Sequence, residues 1–255
     1  MNETPTPLTT TARDVIRVEQ DGPVLRVQLN PSQHNDTLSI AVVEALTDVL
    51  DDLQPDVRVL ILSSLGEDFC TGADRGEYAA ALATDPSGAT LRRIGDKAHR
   101  LCQALESTQA ITIGRLHGGV LGAGLALAAY CDLRASADTC RFRMPEVGVG
   151  LPPAWGGAMG RLISEAGVAR IRELMLTSAE FDAPTAHRLG LLHQVTPLDQ
   201  LDHVIERWTK PLLRRSHEAI VLTKRMLAGY SRADRASDVA LLDSHLLTSQ
   251  IVRMR

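Results

Sequence analysis

Residues 118–132 read GGVLGAGLALAAYCD, with four glycines in the first seven positions and an almost unbroken apolar run after them. Glycine loses more backbone entropy on folding than any other residue and packs nothing, so it weakens helices and strands alike. Its repeated use at the head of a buried-looking segment leaves two arrangements: the chain packs tightly against a neighbour there, or a bound group touches the backbone itself. The preceding AITIGRL (110–116) is β-branched and apolar, as a buried strand requires. A strand, a glycine-rich turn and a helix leave the first helical N–H groups without acceptors, and the helix dipole favours negative charge beside them. The dinucleotide fingerprint is not met, because Gly122 and Gly124 supply G-x-G but Leu127 stands at the third glycine's place, and the Gly-Lys-Ser/Thr of a phosphate loop is absent. An oxyanion hole and a close helix–strand crossing remain as the two readings.

The flanking sequence predicts an α/β fold. VIRVEQDGPVLRVQL is a hairpin around Asp21-Gly22-Pro23. Ser39 is placed to cap a helix through VVEALTDVLDDL. VRVLILSS (57–64) is a second buried strand, residues 89–106 form a helix, and DLRASAD is a short strand. From residue 158 onward the pattern is almost wholly helical. Alternating strands and helices give the α/β class, with a disordered lead-in over 1–13, a core over 14–197 and a helical oligomerisation region over 198–255.

Composition excludes several functions. Aromatics make up only 3%, so the core is built from Ala, Leu and Val, and a net charge of −4 with both signs scattered offers no basic stripe for nucleic acid. The apolar run 120–131 is shorter than the ~20 residues of a membrane span, and the N-terminus has no signal-peptide pattern. Cys70, Cys102, Cys131 and Cys140 lack CxxC spacing and read as free thiols, with no disulfide frame and no metal site. The expectation is a soluble, cytoplasmic protein that binds neither nucleic acid nor membrane.

Two further loops add chemistry. FCTGAD (69–74) follows a buried strand as the glycine stretch does, and offers a second exposed N–H at a turn before a helix. In MPEVGVGLPP, Glu146 sits after a proline among apolar residues, where partial desolvation would raise its pKa toward proton-transfer work. A surface acid or a helix cap is the alternative for Glu146.

These residues resemble the crotonase (enoyl-CoA hydratase/isomerase) family over nearly the whole chain. The likeness runs in order through LNPSQHNDTLS, VLILSSLGEDFCTGAD, HGGVLGAGLALAAYCDLRASAD, FRMPEVGVGLPP and FDAPTAHRLGLLHQV. It implies a spiral of ββα turns with C-terminal helices that trimerise, often into hexamers. It implies acyl-CoA thioesters as substrates, with coenzyme A carried by the substrate and no separate cofactor. A thioester on an acyl-carrier protein is an alternative donor. The matched motifs place the two enolate-stabilising N–H groups at Ala73 and Ala123, with Gly72, Gly122 and Gly124 around them. Asp74, Trp155 and Lys224 join these as substrate-site positions, Lys224 as the late-helix lysine that reaches CoA.

The departures are as specific. Hydratases of the family carry two glutamates; here Ala126 stands at the first position and Glu146 at the second. A single acid resembles the Δ3,Δ2-enoyl-CoA isomerases, in which one carboxylate moves a proton from C2 to C4. The LNRP motif has become Leu29-Asn30-Pro31-Ser32, which removes an arginine. His117 reads as a structural hydrogen-bonding residue, Asp74 and Arg75 as helix-start residues, and Glu77, Tyr78, Tyr130 and Trp155 as pocket or packing positions. The expected activity is isomerase- or hydratase-like proton transfer through Glu146. Thioester hydrolysis, decarboxylation, C–C cleavage and non-catalytic acyl-CoA binding are the alternatives.

Overall fold

The computed structural model describes residues 15–30, 36–234 and 243–253. The 1–13 lead-in and positions 31–35 of the altered motif lie outside the described residues.

The chain opens with the expected hairpin, β1 (Ile16–Asp21) and β2 (Val24–Leu29), turning at Gly22 with φ of 54°. After β3 (Thr37–Leu38), Ser39 caps α1 (Ile40–Asp51) by accepting from the Val42 N–H. Then follow β4 (Val59–Ser64), β5 (Gly72–Ala73), α2 (Arg75–Thr84) and α3 (Ala89–Ser107). The glycine stretch resolves into β6 (Ile111–Leu116), β7 (Gly119–Leu121) and α4 (Ala123–Ala129). Next come β8 (Leu133–Ala137), β9 (Arg141–Arg143), α5 (Ala158–Ala166) and α6 (Val168–Thr177). The remainder is β10 (Phe181–Asp182), α7 (Ala183–Arg188), β11 (Gln194–Thr196), α8 (Leu201–Arg214), α9 (His217–Asp234) and α10 (Asp243–Arg253).

Long strands and short strands alternate between layers. The six-stranded sheet runs β1-β2-β4-β6-β8-β11, parallel except for the first pair. The short strands form β3-β5 and β10-β9-β7. Each of β2–β3–α1, β4–β5–α2 and β6–β7–α4 is therefore one turn of a spiral. Side chains alternate across the main sheet. Leu60 and Leu62 face the large core with α1, α3 and α4. Val59, Ile61, Ile111 and Ile113 face the other way, against Leu201, Val204 and Ile205 of α8. The first helix of the region read as an oligomerisation arm is thus spent on covering the sheet. The strands β10 and β11 interrupt the run expected to be helical. Each is only two or three residues long, and pairing with β9 and β8 defines it rather than local pattern.

Lys224 departs from its expected role. It is 6% exposed, on α9. Its ammonium donates to Leu105 O at 3.3 Å, Ala110 O at 2.9 Å and Asp132 Oδ2 at 2.7 Å. Three acceptors match the three donors of an ammonium. A residue read as a CoA contact is instead a strut tying α9 to the start of β6. A cavity of about 800 Å3 lies beside it, lined in part by Ile111, Asp132, Lys224 and Leu227. Ile111 opens β6 and the glycine turn follows its other end, so this cavity stands about 16 Å of strand away from that turn. Lys224→Met leaves Asp132 without its cation, and losing one partner of a buried pair costs about 3 kcal/mol. The expected result is a Tm lowered by about 6–12 °C with KM for acyl-CoA unchanged. An unchanged Tm with a raised KM would return Lys224 to the substrate.

Candidate active site

Two loops that are fifty residues apart in sequence lie side by side. Cys70 forms a parallel bridge with Val120. The Cys70 N–H donates to Gly119 O at 3.1 Å, and the Leu121 N–H donates to Cys70 O at 2.9 Å. Ala73 and Ala123 each lie three residues beyond the bridged pair, so the bridge brings the two turns next to each other. The contact is close. A Cβ added to Gly124 would lie 2.4 Å from Cys70 O, and one added to Gly72 would lie 3.8 Å from Ala123 N. Burial pushes the Cys70 thiol up to about 12, so it remains a neutral packing group between the turns.

Ala123 is the first residue of α4, after Gly122, which has φ of 49° and ψ of −117° and makes no side-chain cap. The helix's first i→i−4 bond is donated by Ala126 to Gly122 O at 3.0 Å. The N–H groups of the first turn before it have no acceptor within the helix. On the other strand, Ala73 ends β5 and pairs with Leu38.

Glu146 comes to this place from a third segment. It opens a 3-10 turn, Val147–Val149, in the loop after β9. The position of a Cβ on Gly122 would be 2.9 Å from Glu146 Oε1, so the carboxylate lies over the Gly122 backbone. Among the described residues, Glu146 Oε2 is buried without a hydrogen-bond partner. Burial raises the Glu146 pKa above its ordinary value, with only its own backbone N–H working against that shift. An apolar setting and no compensating cation are the conditions under which a carboxylate becomes a usable base near neutral pH.

The other expected residues divide clearly. Gly72, Gly122 and Gly124 meet at the paired turns. Asp74 caps α2, accepting from the Gly76 and Glu77 N–H groups, which is the structural role expected for it. Glu77 Oε2 accepts from the Ile40 N–H at 2.7 Å at the start of α1. Both acids next to Ala73 are therefore spent on helix ends. Trp155 is 9% exposed and sits beside Tyr78, whose hydroxyl is pushed up by burial. With Leu38, the strand partner of Ala73, they line a cavity of only about 10 Å3, room for one water at most. In this conformation Trp155 is packing behind Ala73 rather than the surface of an open pocket. His117 bonds Gly66 O at 2.9 Å, a structural role as expected. Tyr130 bonds Gly157 O at 3.2 Å and belongs to the core. Ala126 is 5% exposed within α4, whose seven residues are all buried.

Two residues that the sequence does not single out also hold the site. Asp68 Oδ1 accepts from the Gly119 N–H at 2.5 Å. Ser178 accepts from Gly148, two residues past Glu146, at 3.0 Å. Asp68 lies inside a matched motif but carries no role there, Ser178 lies outside the matched motifs, and each acts across 30 or more residues of chain.

Comparison with known proteins places this arrangement in context. The family model described as enoyl-CoA hydratase/isomerase matches residues 19–253. A probable enoyl-CoA hydratase of Mycobacterium bovis is 33% identical over 190 residues, 74% of this chain and 71% of that protein. A peroxisomal Δ(3,5)-Δ(2,4)-dienoyl-CoA isomerase of Arabidopsis thaliana is 29% identical over 224 residues, 84% of this chain and 80% of that one. A crystal structure of a putative enoyl-CoA hydratase from Thermobifida fusca, in complex with acetoacetyl-CoA, superposes with a TM-score of 0.79 at 25% identity. That likeness covers 94% of this chain and 95% of the other.

The setting of Glu146 has a measurable consequence for stability. Its folded pKa lies above the ordinary 4.5, so the folded state holds the proton longer than the unfolded state does. The buried charge therefore destabilises the fold progressively as pH rises above 4.5, and fully once the raised value is passed. Glu146→Gln is expected to match wild-type stability at pH 4 and exceed it at pH 8, measured by urea unfolding. A variant less stable than wild type at pH 8 would show that the carboxylate is well compensated.

Proposed function

The chain belongs to the enoyl-CoA hydratase/isomerase family, and from that membership we propose that it is a single-acid isomerase in which Glu146 carries the proton. The observation that carries this reading is one half-buried carboxylate whose Oε1 lies over Gly122 and whose buried Oε2 has no partner among the described residues, while an apolar Ala126 occupies the place of the second acid. The thioester oxygen of an enoyl-CoA would receive N–H donors from Ala73 and Ala123. Glu146 would take a proton from C2, the C–H electron pair would delocalise through the enolate onto that oxygen, and the same carboxyl would return the proton at C4. The double bond moves, and atoms and charge balance without a water or a second base. The substrate's own coenzyme A is the only cofactor this chemistry requires.

A hydratase must hold and activate a water while protonating the α-carbon, and two acids divide that labour. Asp74 and Glu77, the other acids beside Ala73, are committed to helix ends and give Glu146 no help. The names hydratase and isomerase both occur among the relatives, so the missing acid is the feature that favours isomerisation here. The decisive assay incubates 3-enoyl- and 2-enoyl-CoA thioesters in D2O and reads the products by mass spectrometry. Double-bond migration with deuterium exchange, lost at least a hundredfold in Glu146→Gln, is the expected outcome. Net water addition by wild type would make the protein a hydratase, and free CoA would make it a hydrolase.

Self-association is part of the same proposal. Leu222, Met226, Leu227 and Tyr230 of α9 are between 57% and 73% exposed, an apolar face that favours contact with further copies of the chain. Light scattering is expected to give a trimer or hexamer, and Leu227→Asp to reduce it to smaller species. A wild-type monomer would rule this out.

A further inference from the structure

Ser178 has a backbone conformation that does not suit serine. It follows the last residue of α6 with φ of 50° and ψ of 31°, in the left-handed region. Glycine takes that helix-ending position at the least steric cost, and a serine there is strained. Residues held in such conformations often have a task, and the observed strain is the reason to look for one.

The task lies in what Ser178 touches. It is 6% exposed. Its Oγ accepts from the Gly148 N–H at 3.0 Å, and its backbone O accepts from Arg143 Nε at 2.7 Å. These two contacts flank Glu146, one on either side of it in the chain. Arg143 also reaches the second oxyanion turn, because its O accepts from the Gly122 N–H at 2.9 Å. Glu146 O accepts from Val149 at 3.0 Å and Leu151 at 2.8 Å, which closes the 3-10 turn on itself. At its far end Gln250 of α10 donates to Gly150 O at 3.1 Å. Among the described residues, the segment that carries the base has one buried side-chain anchor in its first turn, the Ser178 hydroxyl.

We propose that Ser178 is a positioning residue that fixes the Glu146 loop relative to the Gly122–Ala123 turn. This rests on the reading of Glu146 as the proton carrier. Glycine would relieve the backbone but could not hold Gly148. The αL conformation sends the hydroxyl across to the neighbouring loop, and the left-handed backbone and the hydrogen bond belong to one device.

Ser178→Ala and Ser178→Gly separate this role from simple helix capping. Both remove the hydroxyl; only the second relieves the backbone. For a positioning residue, kcat is expected to fall about tenfold in both variants, since small misplacements of a reacting group are costly, with KM within about twofold. The Tm of the Gly variant should equal or exceed that of the Ala variant. Hydrogen exchange should show faster exchange of the amides from 147 to 151 in both. Wild-type kcat in the Gly variant would overturn the proposal, as would unchanged exchange in that loop. Glu146→Gln is assayed alongside. If it retains turnover, the proton-carrier reading fails, while the exchange data still decide whether Ser178 holds the loop.

Discussion

The structure of this site depends on the short parallel pairing of the Cys70 and Val120 segments. Two backbone hydrogen bonds across that bridge, at 2.9 and 3.1 Å, set the Phe69–Asp74 loop beside the glycine turn. The two turns that follow are adjacent, since a Cβ on Gly72 would lie 3.8 Å from Ala123 N. The bridge tolerates no side chain at Gly124, where a Cβ would sit 2.4 Å from a carbonyl oxygen. The glycines bear out one of the two readings left open by the sequence, a close crossing of backbones.

A second constraint acts on α4. This helix has only seven residues, every one buried, so its terminal groups find little water. Arg134 satisfies the far end, donating from Nη1 to Ala129 O at 2.8 Å and to Cys131 O at 3.0 Å, while Nη2 pairs with Glu165 at 2.6 Å. Burial lowers the Arg134 pKa, with the Glu165 carboxylate opposing that shift. A cation at the C-terminal carbonyls also suits the helix dipole. The helix is therefore closed at one end by an arginine, while the N–H groups of its first turn have no acceptor within the helix. That asymmetry directs hydrogen-bonding capacity toward the side where Glu146 lies.

Stability and the proposed function oppose one another around Glu146. A buried carboxylate oxygen without a partner is unfavourable for the fold, and the same desolvation makes the group a better base. The surrounding chain absorbs this through the two large apolar cores on either face of the main sheet. Ala126 avoids doubling the penalty. A second glutamate on a fully buried helix would need its own compensation, and an alanine needs none.

Much of the protein was legible in local pattern. The hairpin at Gly22, the Ser39 cap, the buried strands 59–64 and 111–116 and the α3 helix follow from alternation, capping chemistry and apolar periodicity, which act within a few residues. The order of motifs carried the family, and Glu146, Ala73 and Ala123 followed from it. What the pattern could not carry was who meets whom. Lys224 reads as a late-helix CoA contact, because nothing near it in sequence announces Asp132 ninety-two residues away. Trp155 looks like a pocket wall until its burial against Tyr78 is seen. Ser178 looks like any residue after a helix, and only its φ and its distant partner distinguish it. Sequence alone determined the elements and the kinds of chemistry available, because propensity and motif are short-range properties. Tertiary structure alone decided which polar groups were spent on the fold and which remained for chemistry, because burial and hydrogen-bond partners are set by segments far apart in the chain.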